Sequence, residues 1–88
     1  MNIQKFMKDM QTEALRAVEK YPAPNPNVAA LAGEMGEACE AMNKEPFANV
    51  YAECVQVAVM AARLAIEGDP FMDTYRISVG LDASVKEK

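Results

Sequence analysis

Read for hydrophobic periodicity, the chain divides into three helical stretches and a tail. Ile3, Phe6, Met7, Met10, Ala14, Ala17, Val18 and Tyr21 recur at helical spacing and predict a first amphipathic helix from Asn2 to Lys20. The segment YPAPNPN ends it, because three prolines within five residues cannot sit inside a helix. Asn27 is placed to cap a second helix running from Val28 to about Asn43. NKEPF breaks the chain again, and Pro46 suits the first turn of a third helix that runs through Glu67 and stops at Gly68, with Pro70 beyond. The remainder, FMDTYRISVGLDASVKEK, sustains no period; a short helical turn near Met72 and then a frayed, charged end are expected. The fold class is therefore all-α: a single domain over residues 1–88, with its core at about 2–69 and an irregular tail over 70–88.

The third helix is apolar around nearly its whole circumference. Val50, Val57, Ala61 and Leu64 form one face, and Val55, Val59, Ala62 and Ile66 the opposite one. A helix apolar on every side asks to be buried on every side. An 88-residue chain has a small core, and two further helices cannot cover that surface. The uncovered face is expected to meet another copy of the chain, giving a homodimer or homotetramer and an oligomeric helical bundle.

Charge and cysteine content narrow the chemistry. Nine Lys and Arg against thirteen Asp and Glu leave a net charge of −4 without a basic cluster, which argues against nucleic-acid binding. The acids suit a hard divalent cation instead. The absence of histidine and of closely spaced cysteines argues against zinc. Cys39 and Cys54 fall on apolar arcs and are expected as buried free thiols. The beginning of the chain, MNIQKFMKDM, has no long apolar run of a signal peptide, and no stretch is read as the roughly 20 apolar residues of a bilayer span. A cytoplasmic protein with no membrane partner is the expectation.

One polar strip survives on the third helix: Asn49, Glu53, Gln56, Arg63 and Glu67. A carboxylate such as Glu53, flanked by Val50, Val57 and Met60, needs a counter-charge or a cation if it is buried. On the second helix, Glu34 and Glu37 are i, i+3 neighbours whose side chains share one face. Ala30, Ala38 and Ala41 surround them and leave room for close approach, while Leu31, Met35, Cys39 and Met42 form the adjoining arc and are expected to face the core. Glu40 lies further round and is expected in solvent. Helices joined by a short loop pack antiparallel, which would bring Glu34 and Glu37 near Glu53 and Gln56. Three carboxylates and an amide oxygen make a hard-cation site with open positions, suited to Mg²⁺ (or Mn²⁺ in its place) and a phosphate-bearing substrate.

These residues resemble the MazG-like, all-α nucleoside triphosphate pyrophosphohydrolases, a superfamily that includes dimeric dUTPases and phosphoribosyl-ATP pyrophosphohydrolases. Its signature is a Glu-Glu-x-x-Glu block on one helix and a Glu-x-x-Asp block on the next. The first is matched by GEMGE, Gly33 to Glu37, and the second by ECVQ, Glu53 to Gln56, with fifteen residues between Glu37 and Glu53. The resemblance covers Val28 to Asp69. It implies Mg²⁺-dependent hydrolysis of a nucleoside triphosphate between its α and β phosphates, as a house-cleaning activity on non-standard or surplus nucleotides. It further implies that Glu34, Glu37 and Glu53 are catalytic metal ligands, with Gln56 at the fourth ligand position. Gly33 stands where the family has a glutamate and Gln56 where it has an aspartate, so the alternative is a catalytically degenerate helical dimer that binds nucleotide or protein. Tyr21, Phe47, Tyr51 and Tyr75 are the aromatic residues available to stack on a base or to fill the core.

Overall fold

The computed structural model describes residues 2–82 and is all-helical over them. It contains α1 (Ile3–Lys20), α2 (Asn27–Lys44), α3 (Phe47–Glu67) and α4 (Met72–Ser78). The charged end expected after residue 82 lies outside the described residues.

Local chemistry places the helix ends. Asn2 caps α1, its Oδ1 accepting the Lys5 backbone N–H at 2.9 Å. Glu45 and Pro46 alone connect α2 to α3. Gly68 ends α3 at φ +73°, a left-handed conformation that favours glycine. Asn27 does not cap α2, contrary to the sequence expectation. It lies within the first turn, fully buried, and its Nδ2 donates to the Gly68 carbonyl at 2.8 Å and to Glu67 Oε1 at 3.2 Å. Its Oδ1 accepts from Asn25 Nδ2 at 2.8 Å. The capping role passes to Asp69, whose Oδ2 accepts the Val28 N–H at 2.8 Å while Oδ1 accepts that of Phe71.

This clasp joins the start of α2 to the end of α3, so the two helices run antiparallel. α1 runs parallel to α3, since Asp9 bonds Tyr51 and Glu13 bonds Gln56 in the same order along both helices. Both α1 and α2 pack on α3 and not on each other. α3 is therefore the central element, and a cleft opens between its two neighbours. The core is Ala17, Val55, Val59 and Met60, with Phe6, Met10, Ala14, Ala30, Leu31 and Tyr51 packed around it. Phe6 meets Tyr51 edge-to-face at 5.6 Å, and the Tyr51 hydroxyl donates to Asp9 Oδ2 at 2.6 Å.

Further expectations are corrected. Met35, Cys39 and Met42 are exposed, and the inward face of α2 is instead Asn27, Ala30, Leu31, Glu34, Ala38 and Ala41. The small alanines let α2 approach α3 closely, and that rotation turns the larger side chains outward. Cys39 and Cys54 are both exposed free thiols. On α3, Val55 and Val59 are covered by the chain itself, whereas Ile66 beside them is exposed because α1 does not reach that far. Finally, α3 is, by length and composition, marginally apolar enough to cross a bilayer, with 21 residues and a mean hydropathy of 1.2. It carries Glu53, Arg63 and Glu67 within that length. The tail holds more order than a single turn: α4 has seven residues, none of them buried.

Replacing Asn27 by alanine removes the donor to the Gly68 carbonyl and one of the donors to Glu67, which keeps Arg63, and should cost about 1–3 kcal/mol, read by urea denaturation. Gly36→Ala should stabilise the protein by about 0.5–1 kcal/mol in the same measurement, because a Cβ there meets nothing within 4 Å.

Candidate metal and anion cleft

The polar groups of all three long helices converge where α1 and α2 part. The inward face of α2 presents Glu34 beside Ala30, so the close packing that alanine permits also draws a carboxylate inward. Glu37, one turn later, is exposed, and Glu53 of α3 is half-buried. One carboxylate oxygen from each of Glu34, Glu37 and Glu53 lies within 4.8 Å of the others. Glu34 Oε1 is buried and has no hydrogen-bond partner among the described residues. Burial, then the charges of Glu37 and Glu53, push the Glu34 carboxyl above its ordinary pKa. Three acids with an unmet acceptor among them repel one another, and a divalent cation between them would reverse that repulsion. Glu34, Glu37 and Glu53 could therefore hold one.

Gln56, also placed at this site by sequence reasoning, lines the same cleft as Glu34, but its amide is engaged by α1. Gln56 Nε2 donates to Glu13 Oε2 at 2.8 Å. The Arg16 Nε donates to the other oxygen, Glu13 Oε1, at 2.9 Å, and Nη2 adds a second bond to Oε2. Held by Arg16 first and Gln56 second, Glu13 is lowered to a pKa of about 2. Its negative charge is felt by Glu34 across the cleft. Because the amide nitrogen is committed to Glu13, the Gln56 carbonyl oxygen is the end left for a ligand.

Beyond the acids the cleft turns basic. A cavity of about 420 Å³ is lined by Arg16, Lys20, Tyr21, Asn25, Met60 and Arg63 as well as Glu34 and Gln56. That volume is within the range of small-molecule sites. Arg63 is 3% exposed and forms a two-bond fork with Glu67, at 2.8 and 3.0 Å, which joins it to the Asn27 clasp. Arg16 and Lys20 keep their charges at the solvent edge.

Sequence reasoning named Glu34, Glu37 and Glu53, and the fold brings them together; Glu40 is exposed and pairs with Lys44 at 3.5 Å. It missed Glu13 and Arg16. Asp9, Glu13 and Arg16 follow one another at i, i+4 and i+7 along the border of the apolar face of α1, and that stripe was the available signal. Of the aromatic candidates, Tyr51 packs in the core, Tyr21 lines the cleft, and Phe47 and Tyr75 are exposed away from it. Comparison of the chain with protein-family models, curated proteins and solved structures finds no match.

Glu34 and Glu13 have opposite pH signatures. The raised Glu34 pKa means the folded chain takes up a proton before the unfolded chain does, so the destabilisation by the ionised group is full above that pKa and is relieved as pH falls through it toward the ordinary value of 4.5. Glu13 contributes stability above the ordinary carboxylate value of 4.5 that is lost as pH falls to about 2. In metal-free buffer, Glu34→Gln should raise the Tm followed by circular dichroism, and by more at about pH 8 than at about pH 5.

Proposed function

We propose that the protein is a Mg²⁺-dependent nucleoside triphosphate pyrophosphohydrolase, converting a (d)NTP and water to a (d)NMP and pyrophosphate, and that it works as an oligomeric bundle of this chain. The observation that carries the reading is the convergence of Glu34, Glu37 and Glu53 oxygens within 4.8 Å around an unpartnered Glu34 oxygen. The GEMGE and ECVQ blocks of the MazG-like resemblance supply these same three acids. The residues fit the cation that resemblance implies, since a buried carboxylate oxygen without a donor is the acceptor a cation would satisfy.

In this reading Glu34, Glu37 and Glu53 hold the cation, with the Gln56 carbonyl oxygen as a neutral fourth ligand. Mg²⁺ when bound would polarise the phosphate and lower the pKa of an attacking water. One of the three acids would also accept the proton of that water. Arg16 and Lys20, across the cleft, offer their charges to phosphate oxygens. Tyr21 and Met60 give a base an apolar surface, and Asn25 gives it an amide at the same wall. Glu13 adds a fixed negative charge behind Gln56, in part making up for the aspartate that the family has there.

The degenerate-site alternative draws on one observation, the Glu13–Gln56 hydrogen bond, which occupies half of the fourth ligand. A single assay separates the two readings: incubation with a panel of (d)NTPs and Mg²⁺, with pyrophosphate and phosphate release measured separately. Pyrophosphate is expected. No turnover together with no Mg²⁺ binding by calorimetry would reject the enzyme, and release of phosphate would reject the α–β cleavage.

Glu53→Gln should lower turnover by at least about a hundredfold with helicity retained. Gln56→Asp should tighten Mg²⁺ binding in calorimetry, because it returns a charge to the fourth ligand.

A further inference from the structure

Gln56 stands between two glutamates in opposite states. On the α1 side, the half-buried Glu13 accepts the Gln56 Nε2–H on its Oε2 at 2.8 Å. On the α2 side, Glu34 lines the same cavity as Gln56, and its buried Oε1 has no hydrogen-bond partner among the described residues. Gln56 is also one helical turn from Glu53, an oxygen of which comes within 4.8 Å of an oxygen of Glu34. A flexible glutamine side chain at that position can serve either glutamate, and the one it serves decides what the acids can hold. An amide turned to Glu34 would fill the unmet acceptor with an N–H and set a donor where a cation has to sit. An amide turned to Glu13 leaves that acceptor open and has its carbonyl oxygen to spare.

Arg16 settles the choice in favour of Glu13. Its guanidinium forks onto both Glu13 oxygens, which fixes the carboxylate in place and, ahead of the Gln56 bond, lowers its pKa to about 2. An ionised carboxylate only accepts, so at any higher pH the amide must meet it with Nε2 and not with its oxygen.

We propose that Glu13 is a positioning residue: it holds the Gln56 amide turned toward α1, so that Gln56 offers a cation its carbonyl oxygen and leaves Glu34 open to the same cation. The inference rests on the cation reading of Glu34, Glu37 and Glu53, and not on which bond is hydrolysed. The Glu13–Gln56 bond then keeps the site open, where the degenerate-site alternative counts it as half a ligand lost. Partners one step removed from the metal commonly set its affinity in this way, by orienting the groups that touch it.

Two neutral substitutions separate orientation from charge. Glu13→Gln and Glu13→Ala both remove the charge, but the first keeps an oxygen for Gln56, turned toward it by Arg16, which can only donate. In Mg²⁺ calorimetry, Glu13→Ala should bind at least about tenfold more weakly than Glu13→Gln. Adding Gln56→Ala to both should abolish that gap. In metal-free buffer, Glu34→Gln should raise the Tm in the Glu13→Gln background and by markedly less in the Glu13→Ala background, where the released Gln56 already serves Glu34. Equal Mg²⁺ affinities for the two variants overturn the proposal, because Glu13 then acts through its charge. A gap that survives Gln56→Ala overturns it too, because Glu13 then acts as a structural support, and so do equal Tm gains. Failure of the cation reading shows itself differently: the wild-type chain then binds no Mg²⁺, and the proposal falls with it.

Discussion

The structure depends on the clasp between the start of α2 and the end of α3. Asn27 donates to Gly68 and Glu67, and Asp69 accepts from Val28, so each helix end supplies what the other lacks. At the far end Glu45 and Pro46 alone make the connection. Two helices tied at both ends cannot slide or rotate, and their register decides which side chains meet halfway along. That register places Glu34 and Glu37 over Glu53. The clasp is polar and directional around a fully buried Asn27, so it specifies one pairing far more sharply than alanine and valine packing would.

The separation of α1 from α2 follows from the same arrangement. Both lie on α3 and not on each other, and the side chains they present to the core between them are small: Ala14 and Ala17 on α1 and Ala30 on α2. A cleft results, and its walls are chemically unequal. The α2 side is acidic with an unmet acceptor at Glu34, and the α1 side carries Arg16 and Lys20 beside a Glu13 whose pKa is lowered by Arg16 and Gln56. Such juxtaposition of opposite fields suits a ligand that is itself a cation bound to an anion.

Much of this was legible beforehand, and the misses share a cause. The prolines at 22, 24, 26 and 46 and the glycine at 68 are local signals, and they marked the helix ends closely. The three acids were legible because their spacing is set within single helices. Asn27 was misread because capping is a local habit, whereas here the partner lies forty-one residues away. Met35, Cys39 and Met42 were placed inward because hydrophobicity was weighed without size; the fold used the alanine side of α2, which permits a shorter interhelical distance. Glu13 looks like a solvent-facing residue until α1 is laid along α3, where it meets Gln56.

The sequence by itself determined the elements: three long helices, their ends, and an α3 more apolar than one chain can cover. Those follow from periodicity, proline, glycine and composition, which act within a few residues. Only the tertiary structure decided the rotation of α2, the partners of Asn27, Asp69 and Gln56, and which face of α3 is left bare. Each of these depends on pairwise geometry between helices, where alternatives of similar local energy are separated by a few long-range hydrogen bonds and by how closely small side chains let two backbones approach.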